Sequence, residues 1–157
     1  MKKVYLIKDK YNQLAIPVVN GEDICFKSKK ECQKYIDIHA EYGNEEYWQY
    51  CTPVAIAVWP KANRAGSHMF IDKINYGYDY DFDSNRIYNR IQWGEKVYPS
   101  KEILLSKSSL YEDMYKYSLS DEYVNEDEDH IYNKYAGTDF DSISGYVEYK
   151  IYKLKIV

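Results

Sequence analysis

Glycine is scarce in this chain, at 7 of 157 residues, and proline scarcer still at 4. So few glycines leave little material for a phosphate cradle, and no Gly-rich phosphate loop is present. No serine sits in a G-x-S-x-G turn and no H-E-x-x-H occurs, so two common routes to hydrolysis lack their motif. The cysteines, Cys25, Cys32 and Cys51, are odd in number and lack C-x-x-C spacing. That disfavours a disulfide framework and a zinc site, and all three read as small buried hydrophobes. Long apolar runs are missing too. The longest, "VAIAVW", is far short of the ~20 residues of a spanning helix. Lys8, Asp9 and Lys10 cut the opening run "MKKVYLI" too early for a signal peptide. The expectation is no membrane segment and a cytoplasmic location.

What is abundant is tyrosine, at 20 residues. Tyrosine buries a ring yet keeps a polar tip, which suits half-exposed sheets and interfaces. An AT-rich coding sequence explains part of this, since lysine, asparagine and isoleucine are plentiful too. Charge is unevenly placed. Residues 1–71 hold 10 basic and 8 acidic side chains, whereas residues 72–141 hold 8 basic and 16 acidic. The net charge of −4 therefore comes from one acidic central block. Such asymmetry bears on partners rather than on fold.

Length and pattern predict one α+β domain over 1–157, with a mainly antiparallel sheet and a few short helices. "KKVYLIKD", "QLAIPVV" and "EDICFK" read as strands, with Pro17 marking an irregularity and Asn20-Gly21 a tight turn. "SKKECQKYIDIHAEYG" reads as a helix. Ser28 and Glu31 fit a capping box, Cys32, Tyr35, Ile36 and His39 recur at helical spacing, and Gly43 is the stop. "TPVAIAVW" reads as a central strand. "MFIDKINYGYDYDF" is one strand or two. "SNRIYNRIQWG" has Ile87 and Ile91 at helical spacing and is expected as a short helix. Residues 99–137 are expected to be mostly helical or irregular, and "GYVEYKIYKLKIV" a strand whose apolar parity changes near Lys153. "GSHM", residues 66–69, has the letters of a tag remnant, but its mid-chain place favours coincidence.

The chemistry-bearing stretch is "NYGYDYDFDS", residues 75–84. Asp79, Asp81 and Asp83 match the first ligand positions of an EF-hand. The match then fails, with Ser84 where glycine is required and Arg90 at the closing position. As a strand, Tyr76, Tyr78, Tyr80 and Phe82 fall on one face and Asp79, Asp81 and Asp83 on the other. Carboxylates would then repeat every ~7 Å, close to the spacing of phosphates along a nucleic-acid strand. They could equally keep an edge strand soluble. A second cluster, "SDEYVNEDEDH", contains Glu126, Asp127, Glu128 and Asp129. A charge run is commonly a solvated face, but two such clusters in a small chain point to a negative surface. His39 is expected to be a packing residue, and His130 adjoins carboxylates that favour its charged form. No catalytic residue, metal ligand or cofactor is assigned. An acidic chain also argues against direct nucleic-acid binding.

The opening "KKVYLIKDKYNQLAIPVVNGEDICFKSKKECQKYI" resembles the start of small phage accessory proteins: a lysine-flanked strand, a return strand and a capped helix. The resemblance covers about a quarter of the chain and carries no specific motif. It implies a phage or mobile-element origin, hence the host-cell cytoplasm. Small acidic proteins in that setting are often inhibitors of host defence, including anti-CRISPR proteins and DNA mimics. The expected function is stoichiometric inhibition of a basic protein, such as a nucleic-acid-binding host defence protein. The contacts would be Tyr78, Asp79, Tyr80, Asp81 and Asp83, with Glu126, Asp127, Glu128 and Asp129 as a second patch. The alternatives are a toxin-immunity protein and a small intracellular enzyme with an unassigned active site.

Overall fold

The computed structural model describes residues 2–43, 45–60, 66–81, 86–116, 125–127, 130–134 and 146–157. Over residues 76–81, 86–90, 113–116, 125–127, 130–134 and 146–148 it describes the backbone alone. The elements are β1 (Lys3–Lys8), β2 (Leu14–Ala15), β3 (Val18–Val19), β4 (Glu22–Cys25), α1 (Lys29–Tyr42), α2 (Glu45–Trp48), β5 (Thr52–Val58) and β6 (His68–Asp81). Then come β7 (Arg86–Trp93), β8 (Lys96–Val97), α3 (Lys101–Lys107), α4 (Ser109–Lys116), β9 (Asn125–Asp127), β10 (His130–Lys134) and β11 (Tyr146–Ile156). The class is α+β, and most strand pairings are antiparallel; β4–β11 and β5–β8 are parallel. The chain gathers into two compact units. Unit 1 holds residues 1–71, 95–101 and 153–157, and unit 2 holds 72–94 and 102–152.

Unit 1 is built on a four-stranded sheet in the order β2-β1-β5-β8, so "TPVAIAVW" supplies an interior strand as its apolar run requires. β1 is covered on both faces. Val4 and Leu6 are buried on one, in register with Ile56 and Val54 of β5; Ile7 is buried on the other. On the Ile7 side, Ile24, Phe26, Cys32, Ile36 and Cys51 close a core with Tyr35, Tyr47 and Trp48 packed against it. α1 reaches that core through Cys32 and Ile36, the stripe that its sequence period marks. The β3–β4 hairpin turns on Asn20 and Gly21, with φ of 53° and 76°, as a two-residue loop with both φ positive requires. Pro17 separates β2 from β3. Met69, the last of the "GSHM" letters, is fully buried in β6.

In unit 2 the strand neighbours run β7-β6-β11-β10-β9. The expected helix over "SNRIYNRIQWG" is instead β7, paired with β6 from Lys73↔Trp93 to Asp81↔Arg86. The Ile87–Ile91 spacing suits a helix, but Ile87, Tyr88, Ile91 and Trp93 are also good strand formers. A long neighbour to pair with decides between them. The expectation of helical or irregular structure holds for α3 and α4, while "NEDEDHIYNK" supplies β9 and β10. On β11, burial switches parity between Ile151 and Leu154, where the strand leaves unit 2 for unit 1.

Candidate functional site

β6 carries Tyr78, Asp79, Tyr80 and Asp81 at consecutive ladder positions, opposite Asn89, Tyr88, Ile87 and Arg86. The register shifts between Asn75 and Tyr78, where β6 advances three residues against two on β7. That is the count of a β-bulge. It corrects the single tyrosine row expected from Tyr76 onward: the unbroken alternation starts at Tyr78. Asp83 lies outside the described residues. Glu126 and Asp127 are on β9, opposite Ile131 and His130 of β10; Glu128 and Asp129 again lie outside the described residues. The two acidic segments thus share one sheet without being neighbours. β11 and β10 stand between β6 and β9, whose axes are therefore about 14 Å apart at normal strand spacing.

Charge follows the division into units. Unit 1 carries 14 basic and 9 acidic side chains, and unit 2 carries 7 basic and 16 acidic. The surface of unit 2 is not uniformly negative, however. Lys73 Nζ lies 5.2 Å from the Trp93 ring centre and 5.4 Å from that of Tyr152, and Lys150 Nζ lies 4.4 Å from Tyr152. The two rings are 5.2 Å apart, so two ammonium groups are held against a pair of aromatic faces.

Sequence reasoning missed the one buried charged side chain among the described residues, Asp72. It sits on β6 beside the start of α4, the end of β7 and β11. Ser108 Oγ donates to its Oδ2, and Tyr149 Oη donates to the same oxygen at 2.7 Å. Ser108 Oγ in turn accepts the Leu110 N–H at 3.2 Å, which leaves its own proton for Asp72. Asp72 Oδ1 has no partner and faces Gly94, where an added Cβ would overlap it. The Gly94 N–H donates to the Asp72 carbonyl at 2.8 Å. Burial pushes the Asp72 carboxyl above its ordinary range, and the hydroxyl donors only partly oppose this. Burial and the neighbouring carboxyl push the Tyr149 phenol up as well. The cluster ties four segments of unit 2 together. Its full burial suits an anchor rather than a solvent-facing base. The available signal was an aspartate directly after the apolar run "MFI" of a strand.

His39 and the cysteines have packing roles. His39 Nδ1 lies 2.9 Å from the Tyr35 carbonyl and its ring stacks between Tyr35, at 4.0 Å, and Trp48, at 4.8 Å, the packing role expected of it. All three cysteines are free and buried. His68 lines a polar surface hollow with Gly21, Glu22, Asp23 and Lys153, and its Nδ1 is 2.8 Å from Ser67 Oγ. Among the described residues no group of three or more His, Cys, Asp or Glu is placed to hold a metal ion, and no helix is long and apolar enough to cross a membrane. Comparison with protein-family models, curated proteins and solved structures returned no match.

Proposed function

We propose that the chain is a stoichiometric inhibitor of a basic protein, of the phage anti-defence type, and that unit 2 is its binding half. The observation that supports this reading is the segregation of charge. One compact unit holds most of the carboxylates, and Asp79, Asp81, Glu126 and Asp127 lie on strands of its sheet. Carboxylates at alternate strand positions repeat every ~7 Å, a spacing that a phosphate-binding groove already accommodates. A nucleic-acid-binding host defence protein is the partner this chemistry fits. A surface of opposite sign also speeds encounter with a basic site. Lys150 is on β11, between the strands that carry the two acidic segments, so the segments would act as two patches.

The test is capture from host lysate on the immobilised chain, followed by elution with a short DNA duplex. The reading expects a basic protein that DNA displaces. Replacing Asp79, Asp81 and Asp83 together with asparagine keeps shape, removes three charges and should abolish capture while leaving the melting temperature little changed. Equal capture by the triple variant, or a captured protein that DNA does not displace, would sink the proposal.

A further inference from the structure

α1 carries its charge in an order that does not suit it as an isolated helix. Lys30 and Lys34 stand toward the N-terminal end, and Asp37 and Glu41 toward the C-terminal end. The helix dipole favours the opposite arrangement. The like-charged pairs Lys30–Lys34 and Asp37–Glu41 are each four residues apart, which adds repulsion. All four side chains are exposed, and among the described residues none of the four is in an ion pair. Asp37 accepts only an amide proton, from Gln33 at 2.9 Å. The four residues fall on one stripe, opposite the buried Cys32 and Ile36, because spacings of four, three and four return to the same face. With Gln33 and the exposed Ile38 they line a shallow hollow along the helix.

The stripe is its own complement. The midpoint of α1 lies between Tyr35 and Ile36. Lys30 and Glu41 are equidistant from it, and so are Lys34 and Asp37. A second α1 laid antiparallel across a two-fold axis at that midpoint sets Lys30 against the partner copy's residue 41, and Lys34 against residue 37. Symmetry doubles the set to four opposite-charge pairs, the self-matching required of a two-fold interface. We propose that α1 is a homodimerisation surface, and that its occupant is the same helix of a second copy. A 14-residue helix is only about 21 Å long. The contact is therefore small, and its association is weak and salt-sensitive. The inference stands on unit 1 alone and does not depend on what unit 2 binds.

Sedimentation of the full chain over a wide concentration range, at low and high salt, reads the self-association. The parent should dimerise at low salt and dissociate as salt rises. Lys30→Glu with Lys34→Glu makes the stripe wholly acidic, and Asp37→Lys with Glu41→Lys makes it wholly basic. Each double variant alone should self-associate about tenfold more weakly or worse. Mixed together they should form a heterodimer. The chain with all four substitutions keeps the parent's net charge and should dimerise again. Circular dichroism confirms that each variant is folded; an unfolded variant is replaced by its Gln counterpart, which should still lose dimerisation. A parent that stays monomeric at every concentration, or double variants that each dimerise alone as well as the parent, would overturn the proposal.

Discussion

Asp72 shows how much a single side chain can ask of its surroundings. Two hydroxyls converge on one carboxylate oxygen while the other faces the Gly94 backbone without a partner. Burial outweighs the hydroxyl donors and raises the carboxyl above its ordinary value. The fold therefore favours the protonated form. The stability tied to that proton is fully present below the unfolded-chain value of about 3.9, and is lost as pH rises through the higher folded-state value. Asp72→Asn should remove this dependence. Relative to the parent it should gain stability as pH rises above the unfolded-chain value, read by urea unfolding, and parallel pH profiles would contradict the assignment. Asp72→Ala leaves the Ser108 and Tyr149 hydroxyls without their acceptor and should cost roughly 1–3 kcal/mol. Gly94→Ala should cost a similar ~1–3 kcal/mol by overpacking, and less in the Asp72→Ala background, because the two share one space. The cysteines make a second residue-scale case. Burial pushes Cys25 up to about 12 and Cys32 to about 11. Native protein should react slowly with thiol reagents at neutral pH, with all three thiols released together on unfolding.

Among the elements, α1 is the one whose ends are specified locally. Ser28 takes an extended conformation and its Oγ accepts the Glu31 N–H at 3.1 Å, the hydroxyl half of the expected capping box. Ser28→Ala should lower stability by about 1 kcal/mol in thermal or denaturant unfolding. Gly43 ends the helix, but not through the left-handed conformation usual at such stops: its φ is −119°. Close approach requires glycine here. A Cβ would lie 2.7 Å from the His39 carbonyl oxygen and against the Trp48 indole. Gly43→Ala should therefore destabilise and disturb the His39–Trp48 stack, visible as altered near-UV circular dichroism.

For the whole molecule, the governing fact is the division of charge, a balance of +5 on unit 1 and −9 on unit 2. If unit 2 binds a basic partner, association should slow and weaken as ionic strength rises, since steering is screened over about 8 Å at physiological salt. Stopped-flow or surface-binding rates at low and high salt measure this, and unchanged rates would remove electrostatic complementarity as the driving term.

The sequence by itself determined the parts whose signals are local. The Asn20-Gly21 turn needs two residues at positive φ. The capped stripe of α1 repeats at helical spacing, and the continuous apolar run of β5 announces an interior strand. The packing role of His39 and the burial of the cysteines follow from residue type and position alone. Only tertiary structure decided the rest. Residues 86–93 hold a pattern that serves helix or strand, and pairing with β6 selects the strand. The register shift near Tyr78 depends on a partner that the local alternation cannot see. Asp79, Asp81, Glu126 and Asp127 were legible as acidic segments, but their placement on one sheet two strands apart came from β10 and β11 folding between them. Asp72 was hidden for the same reason. An aspartate on a strand is buried or exposed according to what covers it, and here the covering groups, Ser108 and Tyr149, lie 36 and 77 residues away.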